Sequence, residues 1–153
     1  MTPFSAAAIL TAAGFALAAC EPALPKGVDA DRLEAAVSGA IGDPNTCVLI
    51  GRPGSGQIVW RYNTHLTCGR GLPVCDKPGG RTVGDLLKTV AADGRPRATS
   101  CGIPGDVSRG VGWAAGPVPG RQLVYAAVME GPRALPGRIM SVEIEGAFKD
   151  AGL

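Results

Sequence analysis

Four cysteines and one histidine are the residues with most capacity for chemistry in the body of this chain. Cys47, Cys68, Cys75 and Cys101 are joined by His65, the single histidine. Three chemistries compete for them. Four cysteines permit three disulfide pairings. Cys68–Cys75 closes a small loop and is the first choice, which leaves Cys47–Cys101 to join two strands. Alternatively His65, Cys68, Cys75 and Cys101 supply enough ligands for zinc, although no C-x-x-C pair is present. In a third reading His65 activates Cys68 as a nucleophile, which requires a thiol with a lowered pKa and no disulfide partner. A count of free thiols separates the three.

Other catalytic sets are missing from the sequence. Gly51-Arg52-Pro53-Gly54-Ser55-Gly56 lacks the lysine and following helix of a phosphate loop and reads as a hairpin turn. Glu143 and Glu145 are two apart on an expected helix and do not share a face. Asp106 and Arg109 are expected to form a surface ion pair of little energetic weight. Trp60, Tyr62, Trp113 and Tyr125 fall on expected strands and read as sheet core. No catalytic residue, metal site or cofactor is assigned.

A fifth cysteine has a different setting. Met1 to Ala19 carries no charged side chain, and eight of these nineteen residues are alanine. The stretch ends Leu17-Ala18-Ala19-Cys20 and then turns polar at Glu21-Pro22. It resembles a bacterial lipoprotein signal peptide, with an apolar core and small residues before the cleavage site. One departure is the lack of Lys or Arg ahead of the core. The resemblance implies that residues 1–19 are removed and that Cys20 is acylated, palmitate included. It also implies a bacterial cell-envelope protein that is membrane-anchored and faces the periplasm, where the remaining cysteines are oxidised. Alternatives are an ordinary cleaved signal, an uncleaved anchor approaching the ~20 residues of a span, and a buried helix.

Removing 1–19 leaves 134 residues, the size of one ordinary domain. Fifteen basic against thirteen acidic residues give a net charge of +2, dispersed along the chain. That excess argues against nucleic acid. Residues 20–30 read as a lipid-anchored tether, with Pro22 and Pro25 keeping it extended. Residues 31–153 read as a single α+β domain.

Periodicity places the elements. Asp31 and Glu34 start a first helix ending near Ile41, with Leu33, Val37 and Ile41 on one face. Residues 46–50 and 57–62 form a hairpin. The segment 63–81 has no sustained period, and a disulfide would account for its length. Thr82 and Asp85 cap a second helix bearing Val83, Leu86, Leu87 and Val90. Strands follow at 97–101, 111–115 and 123–129, then a loop from Glu130 to Leu135. Pro136 opens a last helix lined by Met140, Ile144, Ala147 and Phe148. The expected order is α-β-β-α-β-β-β-α around a five-stranded antiparallel sheet.

That order is shared by the roadblock or profilin-like sandwich and by the core of serine β-lactamases and penicillin-binding transpeptidases. The stretches Val111-Gly112-Trp113-Ala114-Ala115-Gly116 and Leu123 to Met129, with the closing Ala151-Gly152-Leu153, are similar to the C-terminal strands and helix of class D β-lactamases. The Cys47–Tyr62 hairpin is similar to their opening hairpin. The resemblance covers about sixty mostly apolar residues. It implies a non-catalytic relative, because no serine is followed three residues later by lysine. Ser100 of Thr99-Ser100-Cys101-Gly102 stands near the place of a Lys-Thr-Gly motif, without its lysine. The sequence therefore points to a binding domain whose partner is an envelope protein or peptidoglycan. A divergent penicillin-recognising or cysteine-dependent hydrolase is the alternative. The segment 63–81 is the surface to test.

Overall fold

Two valines and two alanines make up half of the strand Val124–Gly131, and all eight of its residues are buried. A strand apolar on both faces needs cover on both sides, and the rest of the chain supplies it. The computed structural model describes residues 23–153. The expected signal at 1–19 and Cys20 lie outside the described residues.

The elements run α1 (Ala30–Ile41), β1 (Cys47–Gly51), β2 (Ile58–Tyr62), α2 (His65–Cys68), β3 (Leu72–Pro73), β4 (Gly80–Arg81), α3 (Val83–Asp93), β5 (Arg97–Ile103), β6 (Asp106–Pro117), β7 (Val124–Gly131) and α4 (Gly137–Asp150). Five strands form an antiparallel sheet in the order β2-β1-β7-β6-β5. β3 and β4 make a separate two-stranded ribbon. With α2 and the ribbon set aside, the order is the α-β-β-α-β-β-β-α read from the sequence, and the class is α+β.

One face of the sheet is covered by α1 and α4, through Leu33, Val37, Met140, Ile144 and Phe148 against Val48, Ile50 and Tyr125. The other is covered by α3, through Leu86, Leu87 and Val90 against Leu49, Val128 and Trp113. Burying each such side chain contributes roughly 1.5–3 kcal/mol. Trp113 and Tyr125 are core residues on opposite faces, whereas Trp60 and Tyr62 lie half-buried on the edge strand β2. Tyr125 donates from its hydroxyl to Glu145 Oε1 at 3.0 Å. Burial, with the Glu145 carboxylate beside it, pushes the phenol far above its ordinary range.

Small residues allow α4 to begin against the sheet. Leu135 and Gly137 lie directly on the backbone of β5 and β6, where Gly112 and Gly137 leave no room for a β-carbon. Thr82 and Asp85 form the expected capping box at α3, and Gly94 closes that helix at φ +66°. No helix among the described residues is long and apolar enough to cross a membrane.

Several boundaries differ from the expectation. Asp29, not Asp31, caps α1: its Oδ1 accepts from the Asp31 and Arg32 amides at 2.9 and 3.0 Å. Pro136 is the N-cap of α4 rather than its first turn. Glu130 belongs to β7, not to a loop, because its pairing with Val111 continues the ladder. β5 and β6 extend into one long hairpin turning at Pro104-Gly105. The described part of the tether is no free spacer: Leu24 and Val28 pack against the α1–α4 core.

Candidate functional site

The segment 63–81 folds at one end of the sheet, over the start of β1 and the end of β7. Asn63 leaves β2 with φ +76°, a conformation asparagine tolerates. Its side-chain amide donates to the carbonyls of Pro44 and Thr46 at 3.1 and 3.0 Å, and its Oδ1 accepts from the Thr64 amide at 2.8 Å. The chain is thereby turned into α2, which Thr64 caps through Oγ1 to the Thr67 amide at 3.1 Å. Leu72 and Val74 then turn inward. The backbone carbonyl of Pro73 accepts from Trp113 Nε1 at 2.7 Å. Arg81 stacks on the Trp113 ring at 4.7 Å. Burial lowers the pKa of Arg81, and its Nε has no hydrogen-bond partner among the described residues. The tryptophan π face offsets part of that cost.

Two disulfides hold this assembly: Cys47–Cys68 with Cα atoms 5.2 Å apart, and Cys75–Cys101 with Cα atoms 5.3 Å apart. The expected pairs, Cys68–Cys75 and Cys47–Cys101, are corrected. Cys47 is on β1 and Cys101 on β5, with β7 and β6 between them. Three strand spacings amount to about 14 Å, twice the reach of a disulfide. Cys68, on α2, lies instead above the start of β1. The zinc and nucleophile readings go with the same observation, since every sulfur they require is already bonded to another. Among the described residues, no three His, Cys, Asp or Glu side chains gather where they could hold a metal ion. His65 is exposed. Its Nδ1 accepts from Arg61 Nη1 at 2.9 Å, which places the ring proton on Nε2.

A charged knot beneath α2 was not anticipated. Glu130 follows Val124, Ala126 and Val128 on the α3 face of the sheet, and its side chain is 3% exposed. One carboxylate oxygen accepts from Arg70 Nη2 at 2.9 Å. The other accepts from Arg109 through Nε at 2.9 Å and Nη2 at 2.6 Å. Arg109 therefore does not pair with Asp106, whose Oδ1 accepts from the Ser108 amide and hydroxyl. Arg70 also donates to Asn45 Oδ1 at 3.1 Å, so the knot links the segment that follows α2, the α1–β1 loop, β6 and β7. The sequence carried one signal for it: a carboxylate in register with the buried side of an apolar strand requires cationic partners.

Glu130→Gln is expected to cost about 2 kcal/mol. Breaking a fully buried pair costs ~3–5 kcal/mol, but the arginines are 40% and 38% exposed and water screens them. Urea unfolding at low salt measures it, and a loss below ~0.5 kcal/mol would show that the two arginines do not hold the carboxylate in place.

The outer surface of this end carries Leu66, 86% exposed, and Val107 at the β5–β6 turn, with Arg70 and Arg109 alongside. Ser100 lies exposed on the edge strand β5. Comparison with known protein families, with characterised proteins and with solved structures returns no match.

Proposed function

We propose that the chain is a lipid-anchored domain of the bacterial cell envelope that binds a partner without catalysing a reaction. Cys20 carries the lipid, and α2 with the β3–β4 ribbon is the binding platform. The observation that carries this reading is the pair of disulfides, which hold an exposed segment of otherwise weak secondary structure rigidly on the end of a sheet. A rigid surface loses little conformational freedom on binding. Paired cysteines also suit an oxidising compartment, as the resemblance of residues 1–20 to a lipoprotein signal requires. The partner is an envelope protein or peptidoglycan. Leu66 is the natural apolar anchor and Arg70 its polar neighbour.

Crosslinking pull-down from intact cells tests the platform. Leu66→Ala, His65→Ala and Lys77→Ala leave the disulfides and the Glu130 knot in place. At least one is expected to lower partner recovery by tenfold or more, the effect of losing about 1.4 kcal/mol at a binding hot spot. Unchanged recovery in all three would remove the platform from the interface. Covalent labelling by a fluorescent penicillin would instead favour the penicillin-recognising alternative.

A further inference from the structure

We propose that the end of the domain opposite the binding platform docks on an anionic phospholipid surface, an inference that rests on the lipid-anchor reading of Cys20. Leu24 and Val28 pack against the α1–α4 core, so the chain is attached to the domain from Leu24 onward. Cys20 precedes Leu24 by four residues. Four residues reach at most about 14 Å even when fully extended. A lipid on Cys20 therefore holds this end of the domain against the headgroups, well short of what a tether of eleven residues would allow.

The surface brought there is suited to anions. A cleft of about 460 Å³ opens beside Ala23, Leu24 and Pro25, and its eight lining residues include Arg52, Arg121 and Gln122 but no carboxylate. Arg52 projects from the β1–β2 turn, and Lys26 is exposed next to the cleft. Neither takes part in the salt bridges found among the described residues. Arg121 is held in place by donating to the main-chain oxygen of Leu153, the last residue of the sequence, and to the carbonyl of Gly152 at 2.9 and 2.8 Å, so it offers less free charge than Arg52 and Lys26. Glu21, two residues before Ala23, is the nearest carboxylate in sequence and lies outside the described residues; Asp29, four residues after Pro25, has its Oδ1 occupied by the amides at the start of α1. Each Lys or Arg at an anionic membrane surface favours the bound orientation by about fivefold. β7 runs from this end to Glu130, so its eight residues separate the docking face from the platform by roughly 25 Å. The platform is thereby turned away from the bilayer.

Paramagnetic relaxation on the ¹⁵N-labelled, lipidated protein tests this in nanodiscs doped with a gadolinium-headgroup lipid. Intact mass and co-purification with the discs establish the anchor first; a protein without acyl mass on Cys20 overturns the lipid-anchor reading and the docking face with it. With the anchor present, discs containing anionic phosphatidylglycerol are expected to broaden the amides of Gly54, Gly56, Gly120 and Gln122 several-fold more than those of Leu66 and Arg70. Lys26→Glu with Arg52→Glu should reduce that difference several-fold, to what the short anchor alone imposes, while leaving the spectrum dispersed, as should zwitterionic discs or high salt. Equal broadening at both ends of the anchored wild type in anionic discs overturns the proposal. So does perturbation of the same amides by purified cell-wall fragments but not by anionic discs, which would assign the face to the wall.

Discussion

Gly137→Ala is expected to destabilise the domain by about 3 kcal/mol or more, at the upper end of what overpacking costs. A β-carbon at residue 137 would lie 2.6 Å from the Thr99 carbonyl oxygen and 2.8 Å from its amide nitrogen, and closer still to the Trp113 carbonyl oxygen. All three are backbone atoms in the middle of a paired hairpin, so nothing flexible can yield. Relief requires lifting the start of α4 from the sheet and exposing Met140 and Ile144, both fully buried. Gly112→Ala drives the same two layers apart from the other side, into the Leu135 carbonyl. Gly146→Ala is the control: it lies in the same helix with nothing within 4 Å of the added carbon. It should be neutral or stabilise by roughly 0.5–1 kcal/mol. Urea midpoints of the three variants measure the contrast. Similar values for Gly137→Ala and Gly146→Ala would mean that α4 does not rest on the hairpin as described.

Replacing Cys47 and Cys68 together by serine is expected to cost about 3 kcal/mol. The bond spans 21 positions of chain, and freeing a loop of that length returns conformational entropy to the unfolded state. The loss falls locally as well. α2 has four residues and cannot hold together alone, so its amides should exchange at rates near those of an open chain while the sheet stays protected. Thermal unfolding and hydrogen exchange on the variant give both numbers. Peptide mapping of the unreduced wild type should recover Cys47 with Cys68 and Cys75 with Cys101. A fragment linking Cys68 to Cys75 would contradict the structure.

Much of the scaffold can be read from local pattern because its cause is local. The Thr82–Asp85 box and the Leu86, Leu87, Val90 stripe announce α3, and a run apolar on both faces announces the central strand β7. The β5–β6 hairpin is less legible. Its tip, Gly102 to Gly110, is mostly glycine, proline and polar residues, with only Ile103 and Val107 of high strand propensity, and pairing across the turn holds it extended. The candidate platform was visible only as a long segment needing an explanation. Which sulfurs meet depends on strand order, and strand order is a property of the whole sheet. The Glu130 knot depends on residues 60 and 21 positions away from the carboxylate, a distance at which local pattern carries no information.

The bonds 47–68 and 75–101 are consecutive: neither encloses nor crosses the other. For a chain that meets an oxidant from its N-terminus forward, the first two of the four paired sulfurs to arrive are native partners, and so are the next two. Among these four, thiol–disulfide exchange then has no wrong pair to undo. The nested arrangement of 68–75 inside 47–101 would have required Cys47 to stay reduced until the last cysteine emerged. Maturation of this domain should thus depend on an oxidase and be indifferent to the loss of a disulfide isomerase.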